Sequence, residues 1–365
     1  MTSKTPRTGN QYSIHYGDYS AVICELGAKI RRFDYQGKEI FCPFGVNDLT
    51  PTCNGYVLAP WPNRIENGEY DFNGKHYCAP VNEYHPAPRN NANHGYAYHY
   101  MWKLESLTDS AVTLSLRFPN LDGYPFDVTV TVTYELGDNG MTATVNARND
   151  GDEPAPWALG LHPWLANGKQ GATAAERDAD SAACHLQIKA ASHVTVNEAL
   201  IPTGTEPVTG IYDLNDGPTL EGRAFDDAWV DVERAADGTT TTTFTRPDGI
   251  EVKIIGDETI NAWQCYTATG APFAEHPYGI AVEPITSRRW TSRILPFQAH
   301  SSERIFSCSS ASCGSSSPST SAGSSATSPP GSPSACPYMR LSSSTICAST
   351  SSSFFSSIRL IPLGF

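Results

Sequence analysis

The sequence contains no long apolar run and little positive charge, and each absence excludes a class of protein. No stretch approaches the roughly 18 apolar residues of a membrane-spanning helix, so we expect no contact with a membrane. The 365 residues carry 25 Lys and Arg against 38 Asp and Glu, a formal charge of −13. Because neutralising phosphates requires clustered Lys and Arg, this balance argues against a nucleic-acid partner. A neutral polyol such as a sugar is compatible with it.

Signals for metal binding and secretion are also missing. The ten Cys residues include no C-x-x-C pair, so neither a zinc site nor a redox motif is indicated. The histidines His85, His94, His99 and His162 lack the spacing of metal ligands, and we expect no metal. The opening stretch MTSKTPRTGNQYS has no apolar segment, so no secretory signal is expected. We therefore expect reduced, mostly buried thiols in a cytoplasmic protein.

Lysine is absent from residues 288–365, which contain a single acidic residue, Glu303, among long tracts of Ser, Pro and Thr. Such low-complexity sequence buries too little apolar surface to offset chain entropy. Two interpretations stay open, a natural disordered tail or an aberrant segment translated out of frame. The composition predicts an ordered domain over residues 1–287 and a tail over residues 288–365.

Alternation of apolar and polar residues with a period of two dominates the ordered part. In residues 112–118 and 126–134, every second side chain is apolar, so each run reads as a strand with one apolar face. Turn signals such as Asn73-Gly74 separate short runs of this kind. The best helical candidate, 168–183, is just as plausible as a polar loop. The pattern predicts an all-β fold of sandwiched antiparallel sheets.

Polar residues among prolines and glycines mark the first candidate site stretch, LAPWPNRIENGEYDFNG. Pro60, Pro62 and Asn63 force an irregular backbone, and this loop presents Arg64. A guanidinium is a planar fork of donors, which suits neighbouring sugar hydroxyls as well as a carboxylate on the surface. Both roles are open for Arg64 from this stretch alone.

The second stretch is NANHGYAYHYMW, in which His94 precedes Gly95, where the backbone can turn freely. The aromatic residues from Tyr96 to Trp102 alternate with other residues, which predicts a strand with one aromatic face. His94 is a candidate for function here, and a structural or exposed histidine is the alternative.

Two further stretches carry an imidazole and a carboxylate in apolar surroundings. In WALGLHPWLANG, His162 lies between an apolar run and Pro163-Trp164, where an imidazole can be tuned as an acid near neutral pH. A core histidine with satisfied hydrogen bonds is the alternative. In YGIAVEPITS, Glu283 ends an apolar run, where an acid is costly unless it is paired or functional. Thr286 is an alternative structural partner for it.

In this order, PWPNRI, N-x-x-H-G, GLHPWL and AVEPITS resemble the motifs of the aldose 1-epimerase (galactose mutarotase) family over roughly residues 10–287. GRAFDDAWVDV adds a fifth element, which is similar to the Asp-x-x-aromatic stretch of the family at Asp226 to Trp229. The neighbouring Asp227 is a second candidate for that position. Each motif alone is weak, whereas the ordered set is specific.

The resemblance implies the galactose mutarotase-like supersandwich of antiparallel sheets, with an open sugar cleft. It implies that Glu283 is the general base at the C1 hydroxyl of a sugar, and that His162 is the general acid at the ring oxygen. His94, Arg64 and Asp226 would hold sugar hydroxyls beside Asn63, and Trp164 would supply an apolar floor. Both proton transfers connect oxygens of one substrate, so this chemistry needs neither a metal nor another cofactor.

The sequence departs from the family after the Glu-Pro motif, where members continue with a loop and a closing strand. RRWTSRILPFQAHSSERIF matches neither, so we expect a domain that lacks its closing strand and leaves a sheet edge unpaired.

The combined expectation is a mutarotase of free aldohexoses, in the glucose or galactose class, that is a monomer or weak dimer. A hexose-6-phosphate epimerase would need further Arg or Lys around the cleft, and the acidic composition argues against it. A non-catalytic sugar-binding or regulatory module on the same fold is the other alternative.

Overall fold

Antiparallel strands make up most of the molecule. A computed structural model describes residues 5–48, 50–272, 276–287 and 353–363. The strands of the first half are β1 (Gln11–Tyr16), β2 (Tyr19–Cys24), β3 (Ile30–Tyr35), β4 (Lys38–Glu39), β5 (Tyr56–Leu58), β6 (Arg64–Glu66), β7 (Glu69–Phe72), β8 (Lys75–Cys78), β9 (Asn91–Asn93), β10 (Lys103–Leu107), β11 (Ala111–Phe118), β12 (Val128–Gly137) and β13 (Gly140–Asn149). Those that follow are β14 (Gly160–His162), β15 (Trp164–Ala166), β16 (His185–Ile188), β17 (Ala190–Val196), β18 (Pro202–Pro207), β19 (Asp226–Val232), β20 (Thr240–Thr245), β21 (Glu251–Gly256), β22 (Ala262–Tyr266), β23 (Gly279–Ile285) and β24 (Ser353–Leu363). The helical segments are α1 (Ala174–Ala182) and 3₁₀ turns at Pro51–Cys53, Ala97–His99 and Gly210–Tyr212.

Two large sheets organise these strands. Sheet I has the order β10-β11-β12-β13-β24-β21-β20-β16. Sheet II has the order β18-β17-β19-β22-β23-β14-β5, with β15 also paired to β23. The strands β1 to β4 form a four-stranded sheet, and β6-β9 and β7-β8 form two ribbons. The predicted all-β fold of antiparallel sheets is confirmed.

The main core gathers side chains of both large sheets and of the four-stranded sheet. Val112, Leu114 and Leu116 alternate with less buried residues along β11, and they join one buried cluster with Trp229 and Trp263 of sheet II. Each buried aliphatic side chain of this kind contributes about 1.5–3 kcal/mol. The period-two pattern of the sequence therefore reports burial of one face of each strand.

The helical candidate of the sequence contains a real but shorter helix, α1. Thr173 caps it by accepting a hydrogen bond from the backbone of Glu176, and the Glu176 side chain accepts one from the backbone of Thr173 in return. The described residues contain no helix that is both long and apolar enough to cross a membrane.

The aromatic stretch after His94 is not a strand, and that prediction is wrong. His94 and Gly95 have φ angles of 63° and 65°, so the chain turns sharply and continues into the 3₁₀ turn Ala97–His99. Alternation of aromatic residues carried no information about this turn, because the turn is set by the backbone of the two preceding residues.

Residues 353–363 form a strand, which the sequence did not predict. β24 lies between β13 and β21, with pairs from Met141↔Leu360 to Arg148↔Ser353 on one side and from Glu251↔Leu363 to Gly256↔Ile358 on the other. Against the expectation of a missing closing strand, both neighbouring edges are paired here, and the side chains of Ile358 and Leu360 are buried. The frame of residues 288–352 lies outside the described residues, and the division at 287/288 stays a prediction.

Candidate active site

One row of directly opposed residues crosses sheet II. Gln264 of β22 is opposite Glu283 of β23, and His162 of β14 is opposite Tyr56 of β5. Gly160 pairs with Ile285, so the same antiparallel register sets His162 opposite Glu283. Opposed residues share a face of the sheet, and the row on this face therefore reads Gln264, Glu283, His162, Tyr56.

His162 and Glu283 are in direct contact at the centre of this row. The Nε2 of His162 lies 3.2 Å from the Oε1 of Glu283, and the two side chains are only 4% and 3% exposed. Burial lowers the pKa of His162 to about 3. Burial, followed by the charge of Asp226, raises the pKa of Glu283 well above its usual value, while Arg64 opposes that shift. Both shifts favour the uncharged forms, a protonated carboxyl and a neutral imidazole.

The neutral pair and the corresponding ion pair contain the same number of protons. In the neutral pair, the carboxyl group of Glu283 keeps its proton and donates a hydrogen bond to the Nε2 of His162. Moving that one proton across the 3.2 Å contact gives a carboxylate and an imidazolium, which are a base and an acid side by side. Burial of both groups favours the neutral arrangement. The shared proton can therefore lie on either Glu283 or His162, and moving it between them needs no exchange with solvent.

His94 is held as a hydrogen-bond donor toward the site. Its Nδ1 accepts a hydrogen bond from the backbone N–H of Asn63 at 3.0 Å. Burial lowers the pKa of His94 well below its usual value, so the ring is neutral and its single proton is on Nε2. Its ring meets that of His162 edge-on, with centroids 5.5 Å apart. Both His94 and Asn63 have a positive φ, which places two strained residues at this site.

Arg64 is already bound to two carboxylates. Its guanidinium contacts Glu83 through Nε at 2.9 Å and NH2 at 3.0 Å, and it reaches Asp226 at 3.3 Å. Gln264 donates to Asp226 at 2.8 Å and accepts from Asn63 at 3.3 Å. The carboxylate of Asp226 is 26% exposed and is the most accessible acid of this network. Asp227 faces the opposite side of sheet II from Asp226, because consecutive residues of a strand face opposite sides.

Trp164 lies beside the pair of His162 and Glu283 on the same sheet. Its indole is roughly parallel to the His162 ring, with centroids 6.2 Å apart, and it donates to the backbone carbonyl of Thr52 at 2.9 Å. Its side chain is completely buried. The structure thus brings together all seven residues that the sequence analysis named: Glu283, His162, His94, Arg64, Asp226, Asn63 and Trp164.

A thiol and two imidazoles meet in this cluster, but they do not suit a metal. Ligand atoms of Cys53, His94 and His162 all lie within 4.8 Å of one another. A metal-bound histidine normally donates its other ring N–H to an acceptor. The other ring nitrogen of His94 instead faces the backbone N–H of Asn63, which is a donor. The proton on Nε2 of His94 would have to leave the ring altogether, so this cluster favours hydrogen bonding over metal binding.

The site is more closed than the open cleft implied by the resemblance. Glu283, His162, His94, Asn63 and Trp164 are all buried. A cavity of about 10 Å³ lies among Asn63, Arg64, Asp226 and Gln264, which is about the space of one water molecule. Cys53, held with a φ of 59°, lies against the two imidazoles. A molecule the size of a monosaccharide would therefore reach Glu283 only after local displacement of side chains.

Sequence reasoning missed four residues of the site: Glu83, Gln264, Cys53 and Tyr56. Gln264 and Tyr56 belong to the row only because of strand register, which a single sequence does not reveal. The alternation in AWQCY did place Gln264 on the same face as Tyr266, a usable but weak signal. Glu83 and Cys53 lie outside regular strands, and no pattern pointed to them.

A family model described as aldose 1-epimerase matches residues 10–305. The chain is 35% identical over 159 residues to YihR, an uncharacterized protein of Escherichia coli, covering 43% of this chain and 51% of that protein. It is 27% identical over 215 residues to galactose mutarotase of Mus musculus, covering 56% of this chain and 58% of that one. The chain thus spans about half the length of the curated relatives that it matches.

Solved structures show the same fold. A galactose mutarotase-like protein from Clostridium acetobutylicum superposes with a TM-score of 0.67 at 15% identity, covering 97% of this chain and 95% of that one. At this identity the likeness concerns the fold alone.

Proposed function

Since the chain belongs to the aldose 1-epimerase family, we propose that it interconverts the α and β anomers of a free aldohexose of the glucose or galactose class. The contact between His162 and Glu283 is the observation that carries this proposal. Mutarotation requires one group to remove a proton at the C1 hydroxyl and another to deliver one at the ring oxygen. An imidazole and a carboxylate at 3.2 Å meet that requirement across neighbouring atoms of one sugar.

In the proposed reaction, the carboxylate of Glu283 takes the proton of the C1 hydroxyl. The C1–O5 bond breaks as the C1 carbonyl forms, and O5 takes the bonding electrons together with a proton from the Nε2 of the His162 imidazolium. The pair is now uncharged, which is the form that burial favours. Rotation about the C1–C2 bond and the reverse transfers close the ring on the opposite face. No proton is gained or lost over the cycle.

The remaining residues position the sugar in this proposal. The Nε2–H of His94 is oriented as a donor by the backbone of Asn63. The carboxylate of Asp226 accepts hydrogen bonds from sugar hydroxyls, while Arg64 and Gln264 fix its orientation. The indole of Trp164, next to His162, is the apolar surface nearest to the sugar ring. Entry of the sugar displaces the side chain of Cys53 from the two imidazoles.

Polarimetry of freshly dissolved α-glucose and α-galactose tests the proposal. We expect the approach to anomeric equilibrium to be faster with the protein than without it, and Glu283→Gln to remove most of the acceleration. Binding of either sugar without acceleration would instead support a regulatory sugar-binding module. Equal rates for the wild type and Glu283→Gln would remove Glu283 from its assigned role.

A further inference from the structure

Lys29 is a buried cation that the proposed reaction does not use. It precedes β3, its side chain is buried with the residue only 3% exposed, and its Nζ lies 4.4 Å from the centre of the Tyr56 ring. Its hydrogen bond goes to the hydroxyl of Thr50 at 3.4 Å. Among the described residues, no carboxylate lies within ion-pair distance of Lys29, whereas Arg64 is paired with both Glu83 and Asp226. A buried charge without a counterion is costly. An anion bound beside Lys29 would supply that counterion.

Lys29 lies next to the catalytic row, at the end beyond His162. Tyr56, over which its ammonium group sits, is directly opposite His162 in neighbouring strands. Strands are about 4.8 Å apart, so the row advances by that distance from Glu283 to His162 and again to Tyr56. Gly55, next to Tyr56, lets the backbone that follows Lys29 come close to β5. A side chain at position 55 would meet the carbonyl oxygen of Ile30 at 2.6 Å.

The covalent structure of a pyranose relates this order to the atoms of the sugar. If Glu283 serves the C1 hydroxyl and His162 serves the ring oxygen, C1 lies toward Glu283. The ring oxygen is bonded to C1 and to C5, and C5 carries C6. C5 and C6 therefore lie on the other side of His162 from Glu283, toward Tyr56 and Lys29.

We propose that Lys29 binds an anionic group carried on C6 of the sugar, a carboxylate or a phosphate, and so selects acidic aldoses. This inference rests on the proposed function of the same site. A hydroxyl on C6 would satisfy a hydrogen bond but leave the buried charge uncompensated, whereas an anion supplies both. Burial lowers the pKa of Lys29 to about 8, so the side chain is still mostly cationic at pH 7. The net charge of the chain is a sum over all residues and does not reveal one buried cation.

Glucuronate and glucose form a matched pair of probes, because they differ only in a carboxylate or a hydroxymethyl group on C5. Saturation-transfer NMR of the anomeric protons measures exchange for both sugars and for glucose 6-phosphate. We expect the wild type to have a higher kcat/KM for glucuronate or glucose 6-phosphate than for glucose. Lys29→Met should lower that ratio by roughly 10–100-fold, as expected for a charge-assisted hydrogen bond of about 1.5–3 kcal/mol. Lys29→Arg should keep most of it.

Lys103→Met is the control for the loss of one positive charge, since Lys103 is exposed and pairs with Glu105. It should leave the ratio unchanged. Acceleration of glucose but of neither acidic sugar overturns the inference and leaves the proposed function standing. Acceleration of no sugar overturns the proposed function, and the inference with it. An equal loss for all sugars in Lys29→Met shows a structural lysine and also overturns it. If that variant does not fold, the wild-type ratio decides, and a ratio of one or less rejects the inference.

Discussion

The Nε2 of His162 and the Oε1 of Glu283 are 3.2 Å apart in a part of the molecule almost free of solvent. Because the two side chains come from neighbouring strands, β14 and β23, the backbone register fixes this contact. A proton can pass between them without a change in backbone position.

Removing either member of the pair should reduce activity far more than stability. Glu283→Gln and His162→Gln each keep a polar group in place but end proton transfer, so kcat/KM for mutarotation should fall by about 10²–10⁴-fold. Progress curves measured by polarimetry give the rates, and circular dichroism checks that the fold is retained. A loss of less than threefold in either variant would contradict the assigned roles.

The pH profile of kcat/KM should have an unusually broad plateau. On the acid side, activity falls only as His162 takes a second proton onto the pair, and its pKa is lowered to about 3. On the alkaline side, activity falls as the pair loses its shared proton, at the raised pKa of Glu283. The two limits belong to the pair as a whole. Midpoints near the ordinary values of a free carboxyl group and a free imidazole would show that the pair does not share its proton.

His94→Asn separates the two nitrogens of that ring. The Oδ1 of asparagine can replace Nδ1 as the acceptor for the backbone N–H of Asn63. The variant lacks the Nε2–H donor, so we expect kcat/KM to fall by roughly 10-fold while the melting temperature changes little. A large drop in melting temperature with normal kinetics in the surviving folded protein would assign His94 to structure instead.

Arg64 should matter for stability as well as for binding. Arg64→Met leaves Asp226 without its cation and leaves Glu83 with Arg89 alone, at a cost on the order of 3 kcal/mol. Urea denaturation measures the loss. The double variant Arg64→Met with Glu83→Gln should recover part of it, because one of the two carboxylates that lost Arg64 is then uncharged. Additive losses would show that the two side chains do not interact.

β24 offers a matched pair of positions for testing its place in sheet I. Leu360 is buried, so Leu360→Ala should cost about 2–5 kcal/mol in the free energy of unfolding. Phe355 is 60% exposed in the same strand, and Phe355→Ala should change stability by less than about 0.5 kcal/mol. Thermal and urea unfolding measure both variants. Equal effects would argue against a strand that is inserted between β13 and β21.

The sequence predicted the strands and the site residues for different reasons. Strands such as β11 and β12 followed from alternation, because one face of each is buried and the other is not. Glu283, His162, His94, Arg64 and Asp226 followed from short motifs in a fixed order. Neither signal contains strand register, so the contact of Gln264 with Asp226 and the neighbourhood of Lys29 and Tyr56 were not predictable.

Two local predictions failed for a related reason. Trp102 and the tyrosines before it alternate like a strand, but the positive φ angles of His94 and Gly95 turn the chain first. The residues of β24 follow a long low-complexity stretch, and their pairing partners, β13 and β21, are far away in the sequence. Long-range pairing is invisible to any argument based on a window of neighbouring residues.

The position of β24 has a consequence for biosynthesis. β13 and β21 leave the ribosome well before it, because about a hundred residues separate the end of β21 from the start of β24. At typical elongation rates this interval lasts roughly 5–20 s. Throughout that time the edges of β13 and β21 that pair with β24 have no partner, because β24 has not yet been translated. A chaperone that covers these two edges would protect the nascent chain from aggregation.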